Sequence, residues 1–175
     1  MRAFVGPSAP QGASLPQTVR GTPRERRRSM KRILVALDAS PRAPFVLATA
    51  AKLAGQIGAR LCLLRAVGLP PEVNQELLVR AAADIVQTMT NEAKAELEAL
   101  AKKHPLVEIE GIHVHVGTPW DLICREATQL ECDLVMLGSH GYSGFDRILG
   151  TTAAKVVNHC DRSVFVVRPL PPAAT

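Results

Sequence analysis

Four glycines and two threonines stand close together late in the chain. Gly138, Gly141 and Gly150 are followed by Thr151 and Thr152 within GSHGYSGFDRILGTTAAKVV (residues 138–157), with His140 between the first two glycines and Gly144 further on. Residues of these types handle anions. Glycine lets a backbone approach a ligand closely or turn sharply. The unpaired N–H groups and positive dipole end at a helix start favour phosphate, and threonine hydroxyls can donate to phosphate oxygens. A plain turn followed by a capped helix would use the same residues, so the segment alone leaves both readings open. It is neither GxxxxGK[ST] nor GxGxxG, and no lysine falls within 138–150. Without that lysine or an obvious base, fast phosphoryl transfer has little support.

Other residues could also do chemistry. Asp38 closes the run KRILVALD (31–38); a carboxylate there can cap the next turn or face a ligand. His113 and His115 are two apart in VEIEGIHVHVG (107–117), so they share one strand face and form a chelating pair without a third ligand. No metal centre is expected from the sequence. His104 and His159 fall near helix ends, where positive charge is favourable.

These residues need elements to position them. The runs 31–38, 59–68, 133–138 and 163–169 are short, apolar and rich in Val, Ile and Leu, which predicts buried strands; 107–117 alternates and predicts a strand with one less buried face. Between them lie helical patterns. One opens at Ser40-Pro41 and runs through 45–58 to Gly58. A long one spans 74–103, with Glu96, Glu98, Lys102 and Lys103 on its wet side. A third begins at Thr118-Pro119, and the last follows Gly150. Five strands alternating with four helices imply an α/β fold: an open five-stranded parallel sheet with helices on both faces. In the order 3-2-1-4-5, Asp38 and Gly138 would face one crevice at the switch point, where ligands of such sheets bind.

The net charge of +5 is unevenly placed. Residues 1–29 hold six arginines (Arg2, Arg20, Arg24, Arg26, Arg27, Arg28) and one acid, Glu25, so the remainder balances at fifteen bases and fifteen acids. A neutral folded part makes nucleic acid an unlikely partner except through this basic extension, which is rich in Pro, Gly, Ser and Gln and is expected to be disordered. The extension lacks the apolar core of a secretory signal, and no run reaches the ~18 apolar residues of a membrane span, so a cytoplasmic location without membrane contact is expected. Cys62, Cys124, Cys132 and Cys160 show no CxxC spacing and read as reduced, mostly buried small hydrophobes.

From Met30 to Pro169 the chain resembles the universal stress protein family, through KRILVALDAS, GTPWDLI, DLVMLGSHGYSG, LGTTAAKVV and SVFVVRP. The family's ATP-binding members carry G-x2-G-x9-G-[ST]. Here Gly138-x2-Gly141 and Gly150-Thr151 are present, separated by eight residues rather than nine. The resemblance implies an adenine nucleotide alpha hydrolase-like fold over residues 30–170, a basic extension at 1–29 and a tail at 171–175. It also implies ATP as ligand, with Mg2+ carried by the triphosphate. Asp38, Ala36 and Leu37 would meet the ribose side, Ala66 and Leu137 the adenine, Gly138, His140 and Gly141 the ribose and phosphates, and Gly150, Thr151 and Thr152 the terminal phosphates. The implied role is a regulatory stress-response module with little or no hydrolysis. A non-nucleotide dimeric scaffold and a slow ATPase or nucleotidyl-transfer enzyme are the alternatives. The strand 163–169 would be an apolar sheet edge, and the resemblance implies a homodimer through its antiparallel pairing.

Overall fold

A computed structural model describes residues 30–68, 78–139 and 149–168. Five strands, β1 (Arg32–Ala36), β2 (Arg60–Val67), β3 (Ile109–Val116), β4 (Leu134–Gly138) and β5 (Ser163–Val167), form one parallel sheet in the order β3-β2-β1-β4-β5. Between them run α1 (Ala43–Ile57), α2 (Leu78–Ala101), α3 (Pro119–Gln129) and α4 (Thr151–His159). The expected order and class are both present.

Side chains that alternate along a strand go to opposite faces, and here both faces are covered. Ile33, Val35, Leu61, Leu63 and Met136 pack with α1 and α2. Leu34, Cys62, Leu64, Val135 and Leu137 pack with α3 and α4. Aromatic residues are scarce, and α1 instead presents Ala43, Ala50, Ala51 and Ala54, whose small side chains let the helix lie close to the sheet. The winding changes face after β3. That reversal brings β1 beside β4, with Ala36 level with Leu137.

Several element ends behave as read. Gly58 ends α1 at φ 68°, a left-handed conformation natural to glycine, and Thr118-Pro119 starts α3. Others differ. The first helix begins at Ala43, with Pro44 rather than Pro41 in its first turn. Ser40 instead shapes a turn before it: its Oγ accepts from Arg42 N–H at 3.3 Å and its carbonyl from Ala43 N–H at 3.1 Å. The run VFVV is not buried on both sides. Among the described residues β5 has only β4 as a neighbour, and Phe165 remains 46% exposed. The start of the long helix at Asn74, the extension 1–29, Gly144 and the tail 171–175 lie outside the described residues.

β3 contains an irregularity with local consequences. Its pairing with β2 steps from Leu61–Ile109 to Cys62–Gly111, leaving Glu110 as an extra residue. Such a bulge changes the phase of alternation. Ile109, Ile112 and Val114 therefore all pack toward α1 and α2, and His113 and His115 turn toward the α3 side. Glu110 accepts from Arg32 at 2.7 and 2.6 Å, linking the beginnings of β1 and β3 across β2. The hydrogen bonds from Arg32 hold the Glu110 carboxyl below its ordinary range.

All four cysteines are free thiols, with Cys62 and Cys132 buried. A hydrogen bond between those two pulls Cys62 down and pushes Cys132 up. Burial, with Cys160 nearby, pushes the Cys124 thiol up to about 12.

Candidate functional site

The crevice is built from the carboxyl ends of the central strands. Leu37 N–H donates to Leu64 O at 2.9 Å, which carries the exit of β1 alongside β2. Ser139 N–H donates to Val167 O at 3.0 Å as the chain leaves β4, and Ser139 O accepts from Gly150 N–H at 2.7 Å. This last bond ties Gly150 to the end of β4 and places the start of α4 directly beyond that strand.

The first intrahelical bond of α4 runs from Ala154 N–H to Gly150 O. The amides of Thr151, Thr152 and Ala153 precede it, as the first amides of any helix must. Among the described residues no side chain caps this end, and its first turn has no acid. The Gly150 amide is committed to Ser139, so donors for an anion begin at Thr151. Thr151 is exposed and Thr152 half-buried.

Asp38 lies one residue past Leu37 and is exposed. Its Oδ1 accepts from Ser40 N–H at 3.1 Å and from Ser40 Oγ–H at 2.6 Å. It thus shapes its own turn, and among the described residues Oδ2 has no hydrogen bond. Leu37 and Leu137 are only 3% and 4% exposed, in the opposing cores. At both positions the main chain is what meets the crevice. Ala36 and Gly138 are half-buried, as is Ala66, two residues past the Leu64 that pairs with Ala36. The structure therefore brings Ala36, Leu37, Asp38, Leu137, Gly138, Gly150, Thr151 and Thr152 to the ends of neighbouring strands, with Ala66 on the next strand out. His140 and Gly141 lie outside the described residues.

Arg65 was not singled out from the sequence. It is 6% exposed on β2 and donates to Leu37 O at 3.3 Å and Asp38 O at 3.1 Å. It also pairs with Glu96 of α2. A cation within the apolar run LCLLRAV was the available signal, since a buried guanidinium needs partners. Arg65 forms one wall of a cavity of about 360 Å³ that also involves Asp38, Ser40, Glu96 and Lys103. This volume is near the lower end for small-ligand sites. Of the residues predicted from the sequence only Asp38 borders the cavity, so it adjoins the crevice rather than filling it.

The family profile matching this architecture, described as the universal stress protein family, covers residues 30–168. A curated relative, universal stress protein A homolog 1 of Coxiella burnetii, is 30% identical over 139 residues, covering 78% of this chain and 95% of that protein. The chain belongs to the universal stress protein family. Among solved universal stress proteins, UspA from Lactobacillus plantarum superposes with a TM-score of 0.69 at 24% identity, over 79% of this chain and 98% of that one. An Archaeoglobus fulgidus member in complex with dAMP gives 0.55 at 21%, over 80% and 99%. A member in complex with cAMP gives 0.56 at 22%, over 80% and 98%. At these identities the structural likeness speaks to the universal stress protein fold alone. No helix among the described residues is long and apolar enough to cross a membrane.

Proposed function

We infer that this universal stress protein binds ATP at the ends of β1 and β4 and acts as a regulatory, stress-response module with little or no hydrolysis. The observation that carries the reading is the start of α4, capped by no side chain among the described residues, held beyond β4 by the Gly150–Ser139 bond and set beside the Asp38 strand end. Amides at such a helix start suit phosphate oxygens, and the Thr151 and Thr152 hydroxyls add donors. Asp38 Oδ2 suits a ribose hydroxyl while Oδ1 keeps the turn. Ala36 and the Leu37 main chain lie beside Asp38 on the ribose side, Ala66 and the Leu137 main chain line the adenine side, and the Gly138 main chain borders the ribose and phosphates. His140 and Gly141 complete the phosphate loop by their place in the motif. Mg2+ would arrive on the triphosphate, since magnesium commonly binds through substrate phosphates. The cAMP and dAMP complexes of relatives support an adenine nucleotide in this family.

β5 supports a homodimer in the same reading. It is a terminal strand of the sheet, and Phe165 stands 46% exposed on it; pairing with a second copy would cover the edge. The packed domain is read as 30–170 and the location as cytoplasmic. The scaffold alternative draws on the Oδ1–Ser40 bonds, because a carboxylate that shapes its own turn has a role without a ligand.

The test is ATP affinity of purified, nucleotide-free protein, with the oligomeric state measured in parallel. ATP should bind once per chain, and Gly150→Val should abolish binding while the dimer persists. Full affinity in that variant would move the phosphates elsewhere, and no binding to the unaltered chain at millimolar ATP would leave the scaffold.

A further inference from the structure

We propose that His113, His115 and Glu126 form a binding site for a divalent first-row transition ion of the zinc type, where edge strand β3 meets α3. The site shares no residue with the nucleotide crevice and does not depend on it.

The juxtaposition begins with the bulge at Glu110. It turns both imidazoles to the α3 face of β3. On that face α3 buries Leu122, Ile123, Ala127 and, among these apolar residues, Glu126, which is 5% exposed. One donor atom from each of the three side chains lies within 4.8 Å of the others. His115 Nε2 is 3.1 Å from Glu126 Oε1, and His113 Nδ1 is 3.9 Å from Oε2. Zinc–ligand distances of about 2.0–2.2 Å set tetrahedral ligand atoms roughly 3.4 Å apart. The His115–Glu126 pair is already that close, His113–Glu126 must close by about half an ångström, and all three donor atoms lie within 4.8 Å of one another.

Two features favour an ion over a simple side-chain pair. Although close, Glu126 Oε1 does not serve as a hydrogen-bond partner for His115 Nε2, and among the described residues that buried nitrogen has no other. Ligands of one metal sit in this way, converging on a common point rather than on each other. In addition, a carboxylate buried to this degree is costly without compensating charge. Among the described residues its ionic partners are these two imidazoles alone, and a divalent cation would compensate it fully.

Local details agree. The His113 ring lies over Gly111, where an added Cβ would stand 2.7 Å from Nε2. Glycine at that position leaves room for the ring to turn Nδ1 toward Glu126. The His113 and His115 side chains are 29% and 40% exposed, so the pair stands near the protein surface although His115 Nε2 itself is buried. Two imidazole nitrogens and one carboxylate suit Zn2+, Co2+, Ni2+ or Cu2+, whereas Mg2+ and Ca2+ prefer all-oxygen sites.

The experiment uses the full chain, freed of nucleotide and metal and kept reduced. Zn2+ is titrated against a chromophoric chelator, and Co2+ serves as a spectroscopic probe. One ion per chain is expected, unaffected by millimolar Mg2+, with a Co2+ spectrum lacking thiolate charge transfer. Glu126→Gln and the more exposed His115→Gln should each weaken binding by more than the roughly 10–100-fold typical of outer-shell changes, with circular dichroism unchanged. A Cys124→Ser/Cys160→Ser double variant should bind as the unaltered chain does. Unchanged zinc affinity in the folded His115→Gln variant overturns the proposal. So does a thiolate band that vanishes with the cysteines, or no binding at micromolar Zn2+.

Discussion

The crevice beyond β1 and β4 and the edge where β3 meets α3 are two regions made from different materials. The crevice consists chiefly of main chain: amides at the start of α4, strand-end backbone and a turn closed by Asp38 and Ser40. The edge consists of side chains, two imidazoles and a buried carboxylate. Backbone donors come with the fold and cost little when no ligand is present, because water can reach an open helix end. A carboxylate buried as Glu126 is costs stability until something neutralises it. One region should therefore be cheap to keep and the other expensive.

The largest expected effect tests their independence. Gly150→Val should lower ATP affinity by about a hundredfold or more, roughly 2.7 kcal/mol, with zinc affinity unchanged; loss of both in a folded protein would mean that the regions are coupled. Next is the frame of the crevice. Arg65→Ala removes the donors to Leu37 O and Asp38 O, and chemical denaturation should show about 2 kcal/mol less stability. At the edge, Gly111→Ala pushes against the His113 ring and should weaken zinc about tenfold, read in the same chelator competition, while ATP affinity holds.

A smaller effect sharpens the contrast in cost. In metal-free protein, Glu126→Leu should raise stability by about 1 kcal/mol by removing a buried, poorly compensated carboxylate. Denaturant unfolding reads this, and a loss of stability instead would give Glu126 a structural role. The smallest effect concerns neither region but the tie between β1 and β3. Arg32 holds the Glu110 carboxyl below its ordinary value, so its stabilisation is present above the unfolded carboxylate range and lost as pH falls through the lowered value. Glu110→Gln should cost about 0.5 kcal/mol near neutrality. Its unfolding midpoint should then fall less than that of the unaltered chain between about pH 6 and about pH 3.

The two regions also differed in how much the sequence revealed. The Gly138 and Gly150-Thr151-Thr152 positions were legible because a helix start after a strand is a local matter of neighbouring residues. The internal commitment of Gly150 N–H to Ser139 O was not, since it joins positions on either side of a loop. The sequence opens the first helix at Ser40-Pro41 because Ser-Pro has the right local chemistry for a helix start, yet Ser40 Oγ serves the turn before the helix. Arg65 was hidden because its partners are the carbonyls of another strand and an acid on α2. Glu126 was missed because no local pattern distinguishes it from the exposed acids of other helices. The change in apolar phase from Ile109 to Ile112, two residues after the extra Glu110, was the one available sign that both histidines would turn toward α3.

By itself the sequence determined the class of fold, the succession of strands and helices, and the chemistry open to the crevice. Those follow from apolar periodicity and from glycine and threonine at a strand-to-helix junction, all short-range properties of the chain. Only the tertiary structure decided which face of β3 carries His113 and His115, that a carboxylate from α3 would meet them, and that a buried arginine would support the end of β1. Those contacts depend on strand register and on which face of the sheet each helix covers, and both are fixed by packing between parts of the chain far apart.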